Sequence, residues 1–176
     1  MAISGDVLSL IQTNTGQILA GTGGNFGYVY YSNDNGQTWT QPQLVDSGDA
    51  NASYAHVGST ADGQIVMLWQ GTRSGTAPTL HYSISPDGGH NWALAESALS
   101  RLDSSANLEL TTDPEGQILL VSGGIEDGPA LAVFDIGLDD SARVSWSDVA
   151  TLSYPSGTAA SLTASGVNTW QASYIG

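Results

Sequence analysis

Three arginines (Arg73, Arg101 and Arg143), 13 aspartates, four glutamates and three histidines are the side chains with which this 176-residue sequence could do chemistry. A guanidinium can hold a carboxylate through two parallel hydrogen bonds. Two carboxyl groups at hydrolytic separation can cleave a glycosidic bond. There is no lysine and no cysteine, so disulfides, thiolate metal sites and cysteine nucleophiles are excluded. His56, His81 and His90 are scattered and make no zinc pattern. No P-loop, dinucleotide fingerprint or Gly-x-Ser-x-Gly occurs, and GTGGNFG (21–27) reads as a loop between strands. A net charge of -14 disfavours nucleic acid and anionic membranes, which need clustered cations. Calcium, neutral polyols such as sugars, and basic partners remain compatible with it.

These side chains sit in a chain that repeats itself. Gly-Gln-Ile occurs at Gly16, Gly63 and Gly116, 47 and 53 residues apart. Each copy lies between two apolar-alternating segments: VLSLIQTNTGQILAGTGG, YAHVGSTADGQIVMLWQG and NLELTTDPEGQILLVSGG. A strand, a glycine turn and a second strand make a hairpin. The octet SNDNGQTW at Ser32 returns as SPDGGHNW at Ser85, and a degraded third copy precedes Trp146. Asn33, Asp34 and Asn35 offer oxygens to calcium, but the further acidic ligands of a calcium loop are missing. The turn reading is simpler: Asp and Ser accept backbone N–H groups, Gly supplies positive φ, and Trp buries a large ring.

The units predict four strands each, near 6–12, 17–22, 26–32 and 38–45, then 53–60, 64–70, 78–85 and 91–98, then 106–112, 117–122, 129–136 and 144–152. A fourth unit from about Thr158 supplies two strands. Helical periodicity is absent, and 22 glycines fit many tight turns. Repeats of about 50 residues with four antiparallel strands are the blades of an all-β propeller. Residues 1–176 thus read as one domain, with blades near 5–46, 52–99 and 105–153 and a half blade at 158–176. Three and a half blades do not close a ring, so closure is expected from homodimerisation or from further blades of a longer chain. No apolar run reaches membrane-helix length, and MAISGDVLSLIQ lacks the layout of a signal peptide. A soluble protein is expected, extracellular or virion-associated ahead of cytoplasmic.

Ser-x-Asp-x-Gly-x-x-Trp resembles the Asp-box, or BNR repeat, of sialidase-like propellers. Ser32, Asp34, Gly36 and Trp39 match it in full, as do Ser85, Asp87, Gly89 and Trp92. The resemblance implies that the octets join strands C and D as structural devices, on the side away from the ligand. It implies a ligand site where the B–C and D–A loops converge. Those loops are GTGGNFG (21–27), QGTRSGTAP (70–78), GGIEDGP (123–129), DSGDANASY (46–54) and SRLDSSAN (100–107).

Asp46, Asp49, Tyr54, Arg73, Arg101, Asp103, Glu126 and Asp127 fall there. Asp49, Tyr54, Trp69, Arg73, Arg101 and Asp127 are the ligand-binding candidates, with Trp69 equally able to fill the core between blades. Arg73, Arg101, Asp103 and Glu126 are the catalytic candidates. The family uses three arginines on one carboxylate, a Tyr–Glu pair and an Asp, whereas here Arg143 lies in the wrong region and the Arg-Ile-Pro motif is missing. The expectation is therefore a non-catalytic module recognising a glycan or a protein, without a cofactor. A sialidase-like glycoside hydrolase and a purely architectural propeller are the alternatives.

Overall fold

A computed structural model describes the backbone of residues 3, 7–24, 26–46, 50–60, 62–72, 79–93, 96–97, 102–112, 118–125, 128–138, 144–153, 159–166 and 169–175, with side chains chiefly up to residue 93. Every element is a strand, and no described helix is long and apolar enough to cross a membrane. The chain divides into two compact units, Met1–Ser59 with Gly63–Ala98, and Thr60–Asp62 with Leu99–Gly176.

The first unit holds two antiparallel meanders. One runs β1 (Val7–Gln12), β2 (Ile18–Thr22), β3 (Gly27–Ser32) and β4 (Gln43–Asp46); the other runs β5 (Ala50–Ser59), β6 (Ile65–Thr72), β7 (Thr79–Ser85) and β8 (Glu96–Ser97). Gly16 and Gly63 both adopt φ +85°, which a side chain disfavours. In the first turn Thr13 N–H donates to the Gln17 carbonyl at 2.8 Å, and Gly16 N–H to the Thr13 carbonyl at 2.9 Å. The isoleucine that follows opens the returning strand: Ile18 faces Gln12, and Ile65 faces Ser59. Strand β10 repeats this register, with Ile118 facing Thr112.

Alternation along the strands then sorts the faces. Leu19, Val29, Tyr31 and Val45 of the first sheet pack with Ala55, Val57, Ile65, Met67 and Trp69 of the second, all buried. Two glycines let the sheets approach. A Cβ on Gly21 would stand 3.2 Å from Val57 Cγ1 and 3.3 Å from the Ala55 carbonyl oxygen; one on Gly27 would stand 3.1 Å from Met67 Cε. Ser9 Oγ crosses the same seam, accepting the Val57 N–H at 2.7 Å. Strand β6 is buried from Ile65 through Gln70 without interruption, as a strand covered on both faces must be.

The second unit repeats the meander with β9 (Leu102–Thr112), β10 (Ile118–Ile125), β11 (Gly128–Leu138) and β12 (Val144–Ser153), and adds the hairpin β13 (Ala159–Gly166) and β14 (Thr169–Ile175). Strand β13 lies beside β9 and β10.

Several expected boundaries move. Strands expected over 38–45 and 91–98 appear as β4 and β8, which begin at Gln43 and Glu96. One backbone bond holds the chain before each ladder begins, Thr40 N–H to the Tyr31 carbonyl and Ala93 N–H to the Ile84 carbonyl, both 2.9 Å. Pro42 has no N–H to add to the first. Strands β5 and β9 start earlier than expected, at Ala50 and Leu102, so parts of the loops expected at 46–54 and 100–107 are strand. Gly21→Ala is expected to lower stability by about 1–3 kcal/mol through overpacking of the seam, read as a lower urea midpoint with an unchanged slope.

Candidate functional site

An antiparallel meander places its A–B and C–D turns at one end and its B–C and D–A connections at the other. The octets occupy the first end. Ser32 Oγ donates to Asp34 Oδ1 at 2.8 Å and accepts the Gly36 N–H at 2.8 Å. Asp34 Oδ1 also accepts the Thr38 N–H at 2.8 Å, while Thr38 Oγ1 donates to Oδ2. The second octet repeats this bond for bond. Ser85 Oγ donates to Asp87 Oδ1 at 2.8 Å and accepts the Gly89 N–H at 2.7 Å; Asn91 donates its N–H to Oδ1 at 2.8 Å and its Nδ2 to Oδ2. The bend is left-handed over two residues, Asn35 (φ 57°) with Gly36 (83°), and Gly88 (73°) with Gly89 (100°). Asparagine tolerates that region better than most residues.

Hydrogen bonds to the charged form lower a carboxyl pKa. Thr38 foremost, then Ser32, hold Asp34 down to about 2, and Asn91 foremost, then Ser85, do the same for Asp87. Both oxygens of each carboxylate are engaged within their own turn. Among the described residues, no three His, Asp or Glu side chains gather where a metal ion would sit.

Beyond closing its own turn, the second octet grips the first sheet. The His90 ring stacks on Tyr31, with centroids 5.5 Å apart and planes 20° apart. The Tyr31 hydroxyl has two acceptors, Gln43 Oε1 at 2.9 Å and the Gly89 carbonyl, and burial pushes its pKa up. Gln43 Nε2 in turn donates to the His90 carbonyl at 2.7 Å. A Cβ on Gly89 would stand 2.9 Å from Leu19 Cδ2 and 3.1 Å from Tyr31 Cε1. Gly36 meets only Trp39 of its own octet, at 3.8 Å. His90 occupies a variable octet position, so no sequence signal marked this clasp.

At the other end, the backbone of the first B–C connection is tied to the second sheet. Gly24 bridges Ala52, its N–H donating to the Ala52 carbonyl at 2.7 Å. Half-buried Phe26 meets Tyr28 edge-on, with centroids 6.4 Å apart. Ser53 Oγ donates to the Gln70 carbonyl at 3.4 Å. Of the candidates, Tyr54 stands in β5 of the first unit and Asp103 in β9 of the second. Asp46 ends β4, facing Gly27. Trp69 is fully buried and stacks on His81 across the β6–β7 ladder, with centroids 6.1 Å apart. Asp49, Arg73, Arg101, Glu126, Asp127 and Arg143 lie outside the described residues.

No family model and no curated protein matches the chain. Its architecture is similar to solved structures at low identity. The NanB sialidase of Streptococcus pneumoniae gives a TM-score of 0.59 at 18% identity, over 78% of this chain and 22% of that one. A Hadza microbial sialidase gives 0.60 at 17%, over 88% and 38%. A leech intramolecular trans-sialidase gives 0.61 at 18%, over 84% and 24%. The chain thus spans well under half the length of these proteins, and the likeness establishes a sialidase-like fold.

Two outcomes follow from the octets. Gly36→Ala is expected to cost about 1–2 kcal/mol, the strain of a left-handed non-glycine residue. Gly89→Ala should cost more, because its methyl also strikes Leu19 and Tyr31; equal urea-midpoint losses would contradict the clasp. Because Asp34 and Asp87 titrate near 2 when folded and near 4 when unfolded, their contribution is complete above about pH 4. It fades as pH falls through about 2. Asp34→Asn with Asp87→Asn should flatten stability against pH across that window, measured by urea midpoints from pH 5 to 2.

Proposed function

We propose that this chain is an Asp-box propeller module that recognises a neutral glycan or a protein surface and does not catalyse. The observation that carries the reading is the pairing of a complete scaffold with a depleted catalytic set. Both octets repeat one hydrogen-bond pattern, whereas the whole sequence holds three arginines, one of them in the decayed third octet region. The binding end is the one carrying the B–C and D–A connections. Asp49, Tyr54, Arg73, Arg101 and Asp127 are its proposed contacts, and no cofactor takes part. Aspartate, asparagine and tyrosine suit the hydroxyls and apolar faces of a neutral sugar. A soluble module, extracellular or virion-associated, joined to further blades or to a second copy, is the setting that fits.

Sialidase-like hydrolysis is the second reading, favoured by the sialidases among the similar structures. It would use Arg73 and Arg101 to hold a carboxylate and Asp103 or Glu126 as the acid. A purely architectural role is the third. Binding on a glycan array at millimolar sugar, with no release of fluorophore from a sialoside substrate, is the expected result. Turnover abolished by Arg73→Ala would establish the second reading, and neither binding nor turnover would leave the third.

A further inference from the structure

Strand β14 has a ladder on one side only. It pairs with β13 from Ala159 opposite Ile175 to Gly166 opposite Thr169, and among the described strands it has no other neighbour in its sheet. Its counterparts β2, β6 and β10, the second strands of their sheets, each pair on both sides. A strand edge without a ladder presents a row of N–H and C=O groups that can template another strand. Natural edges are usually blunted by charge, by proline or by shortness. Strand β14 has seven residues, TWQASYI, none charged and none proline.

Charge says which strand fits. The chain carries -14 overall, yet residues 149–176 contain no Asp, Glu, Lys, Arg or His. Two copies repel through the rest of their surface, and this uncharged segment is where they approach without that cost. A strand meeting its own copy brings an edge of equal length, and a two-fold axis makes the pairing antiparallel and self-complementary. The product is a four-stranded sheet, β13–β14 joined to the same hairpin of the other copy. Four is also the strand number of the other three sheets, and a lone hairpin is marginal in water.

We infer that the open edge of β14 is a self-association surface, on which a second copy of this chain pairs its own β14 antiparallel about a two-fold axis. The inference is independent of what the module binds, because it uses backbone groups of β14 and none of the proposed ligand contacts.

The absence of cysteine makes the test direct. Single variants Gln171→Cys, Ala172→Cys, Ser173→Cys and Tyr174→Cys are oxidised at equal concentration beside Thr15→Cys, an exposed position in the first A–B turn. A residue at the axis faces itself, so cross-linking should peak at one β14 position, at least about tenfold above Thr15→Cys, and fall on either side. Unmodified chain should show twice the monomer mass of 18.2 kDa by light scattering, more so as salt screens the like charge. A monomer at every concentration, with β14 cross-links no higher than the control, would overturn the inference. So would a dimer whose cross-links do not localise to β14. Either result could arise whether or not the chain binds a glycan, so the two proposals fail separately.

Discussion

From Ile65 to Gln70 every residue of β6 is buried, so neither face of that strand meets water. A one-sided sheet alternates apolar and polar residues, but a strand covered on both sides reads as a continuous apolar run, which is how IVMLW stands in the sequence. One four-stranded unit has no means of covering both of its own faces. Leu19, Val29, Tyr31 and Val45 cover one face of the second sheet, and they reach it because Gly21 and Gly27 carry no side chain where Val57 and Met67 arrive. Two-sided burial is therefore the physical reason for the repeat, since a unit of this kind is stable only beside another.

The octet suits such an array because its turn is held locally. Each side-chain bond in it spans four residues or fewer, so the bend forms from its own Ser, Asp and following polar residue without help from a neighbouring sheet. The first octet meets no other sheet at Gly36, and yet it has the same bonds and the same left-handed pair as the second. Once the turn is closed, its outer surface is available for packing. The second octet uses that surface, seating Gly89 and His90 on Leu19, Tyr31 and Gln43. Asp87 works inside the turn, while the clasp is made by the two residues at the variable and glycine positions.

That division explains what could be read in advance. Gly-Gln-Ile and the octets marked the hairpin turns, because a left-handed glycine and a carboxylate accepting nearby N–H groups are local requirements that leave a local trace. The strand register at Ile18, Ile65 and Ile118 followed from them. The clasp was not legible, since Tyr31 and His90 are far apart in the chain and neither type is diagnostic. The starts of β5 and β9 were misjudged for a related reason. DSGDANASY and SRLDSSAN are rich in Asp, Ser and Asn, which have weak strand preference, and pairing with Thr72, Gln70 and Ile125 overrides it. Trp69 remained ambiguous because its type suits a core and a sugar platform alike; its complete burial beside His81 places the ring in the core.

Likeness of fold and likeness of activity come apart here on electrostatic grounds. At 17–18% identity the similar sialidases share an architecture with this chain, and an architecture hosts many functions. Holding an anionic sugar requires a local excess of cations, because the ligand's carboxylate must leave water for a site that repays its desolvation. The candidate connections hold two arginines, Arg73 and Arg101, against Asp46, Asp49, Asp103, Glu126 and Asp127, within a chain of charge -14. Unless the arginines stand together apart from those carboxylates, the field at that end opposes an anion and is indifferent to a neutral polyol. The same carboxylates can accept hydroxyl hydrogens, and the field that repels an anion draws a basic protein surface towards it. The charge balance, more than the fold, is what favours recognition of a neutral or basic partner over sialidase chemistry.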